Sequence, residues 1–424
     1  MKKTAILSFL LLALAVPLFA AVPKAELLNE PLHTPIAADQ TELPLNEKIG
    51  DYFNVRSVAG DEIVAQFGIQ HPAEGGVTVR LFEGEHELAS AAAPGKFGRI
   101  LFTGLTPETE YTLTASCEAW KSAEGLKINN LDGDEAFASL TRRCRTAPSP
   151  RGELLVKAAL VSDTHVSIIT ALSGRLHCVS REIFTDVCRD AAARGCTLMI
   201  NCGDVTDGTH DEEFETAEKA MAEFPGKILL VPGNHDIKKD EELVKWHAAF
   251  GAAACYDEAG GVQFVGLNTA DGRLNKPENL EVIEKLDPAK PAIIFSHFQL
   301  VKDEHLNDEN KAIKDADLCT AQLEKIASSK SVIYVGHKNV AAAAYLGNVV
   351  QINMPQTTQF PMGWLEAEIR TDGVYQRFVF SSTADREELS RVLGGCFLGT
   401  IGYRDWRSVE IWNRFIPWPE SGEK

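Results

Sequence analysis

The chain has 424 residues, more than one hydrophobic core usually organises, which predicts two domains, and its 45% apolar content predicts that both are folded. Its formal charge of -18, from 42 Lys and Arg against 60 Asp and Glu, argues against nucleic acid as a natural substrate, because that binding is driven by basic surface. Lys2 and Lys3, the apolar run 5–16 and the small pair Ala20 and Ala21 read as a cleaved signal peptide over residues 1–21. The run is shorter than the roughly 18 residues a membrane span needs, and no later stretch reaches that length. The mature protein is therefore expected to be exported, periplasmic or secreted, with no transmembrane segment.

Residues 22–147 are expected to be all-β, with short alternating segments at 61–69, 77–82, 99–102, 109–117 and 136–145 separated by turn residues. The run Leu105-Thr106-Pro107-Glu108-Thr109-Glu110-Tyr111-Thr112-Leu113 resembles the E–F corner of an immunoglobulin-like, fibronectin type III-like sandwich, in which the Tyr hydroxyl bonds to nearby backbone. Export permits disulfides, and Cys117 and Cys144, the only two Cys in this region, are expected to pair. Cys178, Cys188, Cys196 and Cys202 form no Cys-x-x-Cys and read as small apolar side chains. Residues 148–153, with Pro148 and Pro150, form a linker.

From residue 154 onward, five apolar runs of strand length each end in residues that can bind a metal. Run 154–161 leads to Asp163 and His165, run 197–202 to Asp204 and Asp207, and run 228–231 to Asn234, His235 and Asp236. Runs 292–295 and 331–335 lead to His297 and His337. Open sheets build their sites at the carboxyl ends of strands, and Asp, Asn and His without Cys suit a hard or borderline cation. Helical patterns alternate with these runs: Leu176, Val179, Ile183, Val187 and Ala191 repeat at helical spacing over 175–194, with further candidates at 212–223, 240–250 and 317–328.

The order of these motifs, D-x-H, G-D-x-x-D, G-N-H-D, a lone His and G-H followed by Lys338 and Asn339, resembles the calcineurin-like metallophosphoesterases over roughly residues 154–380. The resemblance implies an α/β, layered phosphoesterase domain over 154–381, with two sheets face to face inside a helical coat. Asn339 stands where many members of the family carry a second His. The order of a sandwich and then this domain is also similar to purple acid phosphatases, but their metal-binding Tyr would fall at Asp207, so no tyrosinate-to-iron colour is expected.

The resemblance further implies two divalent metal ions (Mn, Fe or Zn) and an exported hydrolase of small phosphomonoesters or phosphodiesters that uses a metal-bound hydroxide. Asp163, His165 and Asp204, with Asn339, would hold one metal; Asp204, Asn234, His297 and His337 would hold the other. His235 would protonate the leaving oxygen, with Asp236 fixing its tautomer. Asp207 would orient a ligand by hydrogen bonding, and Lys338 would contribute positive charge near the phosphate. The alternatives are a catalytically weak binding protein on a phosphoesterase fold and a related nucleotidase or pyrophosphatase. His33, His71, His86, His177, His210, His247 and His305 fit no motif and read as surface or packing residues, with His210 and His305 in loops that could border the pocket. Residues 382–424 form an extension of unassigned role, with a helix over 383–393 ended by Gly394 and Gly395 and a tail bearing Trp406, Trp412 and Trp418.

Overall fold

The computed structural model describes residues 22–28, 52–68, 76–117, 141–302, 312–398 and 407–419. The expected signal peptide, His305 and Trp406 lie outside the described residues.

The N-terminal strands are β1 (Lys24–Leu27), β2 (Tyr52–Val58), β3 (Glu62–Gly68), β4 (Val77–Glu83), β5 (His86–Ala93), β6 (Phe97–Thr103), β7 (Glu110–Ser116) and β8 (Thr141–Arg145). They form two four-stranded antiparallel sheets, ordered β1-β6-β3-β2 and β5-β4-β7-β8. Alternate residues such as Phe53, Val55, Phe67, Val79, Leu81, Phe102 and Leu113 meet between the sheets in one core. The Tyr111 hydroxyl accepts a hydrogen bond from the Thr106 amide at 3.0 Å. The expected Cys117–Cys144 disulfide does not form, and both thiols are free and buried. Register explains this: Cys144 lies opposite Tyr111, while Cys117 follows the far end of β7, roughly 20 Å away at about 3.4 Å per residue.

The second region contains β9 (Leu154–Val161), β10 (Leu198–Asn201), β11 (Lys227–Leu230), β12 (Cys255–Ala259), β13 (Val262–Leu267), β14 (Ala292–Ser296), β15 (Ser331–Val335), β16 (Ala343–Leu346), β17 (Val349–Asn353), β18 (Gly363–Arg370), β19 (Gly373–Phe380) and β20 (Arg414–Pro417). These make two six-stranded sheets, β11-β10-β9-β18-β19-β20 and β12-β13-β14-β15-β17-β16. Leu160, Ile200, Phe264, Phe295, Tyr334, Ile352, Leu365 and Phe378 pack between them. The outer face of the first sheet is covered by α1 (Ser180–Ala193), α2 (Asp211–Met221) and α3 (Val244–Phe250), through Phe184, Val187, Phe214 and Trp246. The second is covered by α4 (Pro277–Glu284) and α5 (Thr320–Ala327). Among the described residues no helix is long and apolar enough to cross a membrane.

Helix α1 begins at Ser180 rather than at 175, because Arg175 pairs with Gln359 and residues 177–179 make a 3-10 turn. The C-terminal segment returns to the domain through α6 (Ala384–Leu398), α7 (Ser408–Trp412) and β20 on the edge of the first sheet. Gly394 and Gly395 do not end α6. Gly394 has a packing role: a Cβ on Gly174 would lie 2.3 Å from the Gly394 Cα, so two backbones pass there in close contact. Trp412 and Trp418 are buried, and their indole N–H groups donate to Asn353 O and Arg370 O at 2.7 and 2.8 Å.

Candidate metal centre

The five loops that carry the candidate ligands leave the carboxyl ends of β9, β10, β11, β14 and β15, so the two sheets deliver their side chains to one edge. Asp163, His165, Asp204, His337 and Asn339 all have positive φ, between 41° and 67°. L-residues rarely adopt this conformation, and its concentration here marks loops bent to aim side chains inward. Close approach also needs glycine: a Cβ on Gly233 would lie 2.2 Å from Asp204 Oδ1, and one on Gly336 would lie 2.2 Å from Ser162 Oγ.

Asp204 is central. Its carboxylate belongs to two groups of potential ligands, one with His165 and His235 and the other with His297 and His337, each with ligand atoms within 4.8 Å of one another. Oδ2 of Asp204 lies 3.6 Å from His165 Nε2 and 3.3 Å from His297 Nε2. Asp163 Oδ1 is 3.6 Å from His165 Nε2, and Asn234 Oδ1 is 3.0 Å from His297 Nε2. Two ligand atoms that share a cation at about 2.0–2.2 Å are separated by roughly this much.

The tautomers agree with ligation. His297 Nδ1 donates to Cys202 O at 2.9 Å, which leaves Nε2 facing the oxygens of Asp204 and Asn234. His165 is fully buried, with Nδ1 3.2 Å from Asp207 Oδ1 and Nε2 without a hydrogen-bond partner. A buried ring nitrogen left unpaired between two carboxylates fits a bound cation. Burial opposes the charges on Asp163 and Asp204, yet His165 beside Asp163 and His297 beside Asp204 hold both carboxyls below their ordinary range. Burial also disfavours a charged His297, but Asp204 outweighs it and raises the imidazole to about 9. The pocket thus favours positive charge.

His337 donates its backbone N–H to Asp163 Oδ2 at 3.1 Å and stacks its ring on Phe298 at 4.1 Å. Asn339 is buried against Asp163. With its amide nitrogen toward Asp163 it donates to Oδ1 and Oδ2 at 3.2 and 3.1 Å; with its oxygen turned that way, the two side chains face each other at the separation of ligands that share a cation. Lys338 is half-buried on the turn between them.

Asp236 does not orient His235. Its carboxylate accepts from the amides of Val205, Thr206 and Gly233 and from the Thr206 hydroxyl, at 2.7–3.1 Å, and so ties the Asp204 loop to the Gly233 turn. Burial and the neighbouring Asp204 raise this carboxyl to about 6. The partner of the His235 ring is Asp207, whose Oδ1 lies 2.9 Å from Nδ1. Burial of Asp207 opposes its charge, but His165, His177 and His235 hold the carboxyl far below its ordinary range.

Sequence reasoning did not single out Arg175, His177 or Lys238. Arg175 Nη1 and His177 Nε2 lie 3.4 and 3.5 Å from Asp207 Oδ1. Lys238 Nζ donates to Asp207 O at 2.9 Å and sits 2.6 Å from His235 Nδ1. No spacing pattern marks these three. His210 precedes α2 as its N-cap residue.

Residues 156–341 match the family model for calcineurin-like phosphoesterases. This stretch is a calcineurin-like metallophosphoesterase domain. Comparison with curated proteins finds no match. Among solved structures, the chain is similar to a dimetal phosphatase from Danio rerio at 13% identity and TM-score 0.44, covering 55% of this chain and 98% of that one. It is also similar to a purple acid phosphatase from yellow lupin, Lupinus luteus, at 13% identity and TM-score 0.42, covering 77% and 72%. A putative 5'-nucleotidase from Staphylococcus aureus aligns at 12% identity and TM-score 0.30, over 50% of each chain. The phosphoesterase domain supplies the mixed α/β fold, and its family implies divalent metal cofactors and a phosphate ester substrate.

Proposed function

We propose that the protein is an exported phosphoesterase with two divalent metal ions, Mn, Fe or Zn, that hydrolyses a small phosphomonoester or phosphodiester. The observation that carries this reading is the Asp204 carboxylate shared by two groups of ligands. Asp163, His165 and Asp204, with Asn339, would hold one cation; Asp204, Asn234, His297 and His337 would hold the other. When bound, such a pair acidifies water and offsets the charge of the phosphoryl oxygens.

The remaining work falls to the chain's own side chains. His235 is half-buried at the rim, its backbone N–H fixed to Asp204 Oδ1 at 2.8 Å and its Nδ1 held by Asp207. That leaves Nε2 to carry the proton delivered to the leaving oxygen. Arg175 and Lys238, placed around Asp207, add positive charge on this side of the site and favour an anionic ester. Lys2, Lys3 and the following apolar run support export. The strand orders and the Tyr111 hydrogen bond support a fibronectin type III-like sandwich at the N-terminus.

The test is hydrolysis of p-nitrophenyl phosphate and bis-p-nitrophenyl phosphate by metal-stripped mature protein resupplied with Mn, Zn or Fe. Turnover that depends on the metal is expected, and the ratio of the two rates reports the ester preferred. Metal-loaded protein inert toward both esters would contradict the enzymatic reading.

A further inference from the structure

The N-terminal sandwich and the phosphoesterase domain meet at a buried ionic cluster that the site chemistry leaves unused. Arg56 on β2 and Arg99 on β6 are almost fully buried, as is Glu387 on α6. Glu387 Oε1 accepts from Arg56 Nη1 at 2.7 Å, and its Oε2 accepts from Arg99 Nη2 at 2.6 Å. The two guanidinium groups also lie over aromatic rings of the phosphoesterase domain, Arg56 at 4.7 Å from the Phe378 centroid and Arg99 at 3.6 Å from that of Phe380. Such a cluster requires mutual pairing, because losing one partner leaves a buried charge exposed to no solvent.

The cluster continues toward the candidate metal centre. Glu387 Oε1 also accepts the Met362 amide at 3.2 Å, and one turn on, Ser390 Oγ accepts the Phe360 amide at 2.8 Å. The same hydroxyl donates to Gly174 O at 2.5 Å, beside Arg175. The segment so held reaches the site at its other end: Thr358 O accepts the Leu176 amide at 2.9 Å, Gln359 pairs with Arg175, and the Thr357 and Thr358 hydroxyls approach Asp163 O at 3.5 Å.

We infer that the sandwich is a structural part of the hydrolytic centre: Arg56 and Arg99 are positioning residues that, through Glu387 and α6, hold segment 357–362 against Asp163 and the Arg175 loop. The use of Asp163 as a ligand rests on the proposed function above; the mechanical link does not. Two variants separate the two. Ser390→Ala removes the α6 contacts to Phe360 and Gly174 while leaving the ionic cluster intact. The triple variant Arg56→Met, Arg99→Met, Glu387→Leu replaces the cluster with apolar side chains of similar size.

In the full chain, hydrogen–deuterium exchange of metal-free protein is expected to speed up at least about tenfold over 356–362 in Ser390→Ala, with protection of β9, β10 and β14 retained. Calorimetric titration with Mn²⁺ is expected to show affinity lower by about 10–100-fold, the range for lost ligand support. The folded triple variant should behave alike. Unchanged exchange over 356–362 in either folded variant would overturn the inference. If the triple variant does not fold, the single variant Arg99→Met, which keeps the Arg56–Glu387 pair, takes its place in the exchange measurement. If wild-type protein binds no Mn²⁺, the proposed function fails while the exchange measurement still decides the positioning role.

Discussion

One oxygen, Oδ1 of Asp207, lies within 2.9–3.5 Å of ring nitrogens of His235, His165 and His177 and of Arg175 Nη1. A single carboxylate thus orients both a candidate ligand and the candidate acid. Asp207→Asn keeps the shape and removes the charge; turnover and metal affinity are each expected to fall by about 10–100-fold, measured by steady-state kinetics and calorimetry. Wild-type values for both would remove Asp207 from this role. His235→Ala should retain the metals and lose about 10²–10⁴-fold in turnover, and metal analysis alongside kinetics separates the two effects. The candidate ligands could be picked out in the sequence because each follows an apolar strand. The partner of His235 could not, since Asp207 and Asp236 were both available carboxylates. What separates them is direction: Asp236 is turned into a nest of backbone N–H groups from 205, 206 and 233, which no spacing pattern encodes.

At the scale of elements, β2 shows why part of the sandwich escaped sequence reading. Its residues Tyr52-Phe53-Asn54-Val55-Arg56-Ser57-Val58 are all buried, because Phe53 and Val55 face the sandwich core while the opposite face meets the phosphoesterase domain. A strand buried on both faces loses the polar alternation that announces a strand. The charged run of α6 likewise gives no sign of burial in the sequence, although Arg386, Glu387, Glu388 and Arg391 are buried. Burial of Glu387 opposes its ionisation, but Arg56 and Arg99 hold its carboxyl below the ordinary 4.5. The stabilisation is therefore complete above about pH 4.5 and is lost as pH falls through the lower folded value. Glu387→Gln should cost about 3–5 kcal/mol at pH 7 and should show a smaller drop in melting temperature between pH 5 and 3 than wild type. Equal acid sensitivity in the two proteins would show that Glu387 is not a source of it. Tyr111→Phe, which deprives the Thr106 amide of its acceptor, should cost about 0.5–1.5 kcal/mol in denaturant unfolding without altering metal binding.

Across the whole molecule, the arrangement places a site where two sheets converge and closes it with a segment that the N-terminal sandwich and the C-terminal extension help to hold. Asn413 joins all three parts: its side chain accepts from the amides of Val58 and Phe378 and donates to Arg56 O, at 2.9–3.0 Å. The C-terminal tail, read from sequence only as an extension of unassigned role, became interpretable once β20 was seen on the sheet edge. Pairing between segments so distant in the chain leaves no local pattern. Metal binding should couple to this global stability: at a free metal concentration 100 times Kd, the folded state gains about 2.7 kcal/mol, and a chelator should lower the melting temperature accordingly. The most direct test of the site is the metal content of purified Asp204→Ala beside wild type, both dialysed against Mn²⁺ and confirmed folded by circular dichroism. Two ions per wild-type chain and neither retained in the variant are expected from a carboxylate that serves both groups of ligands. Two ions still bound to Asp204→Ala would contradict the shared site.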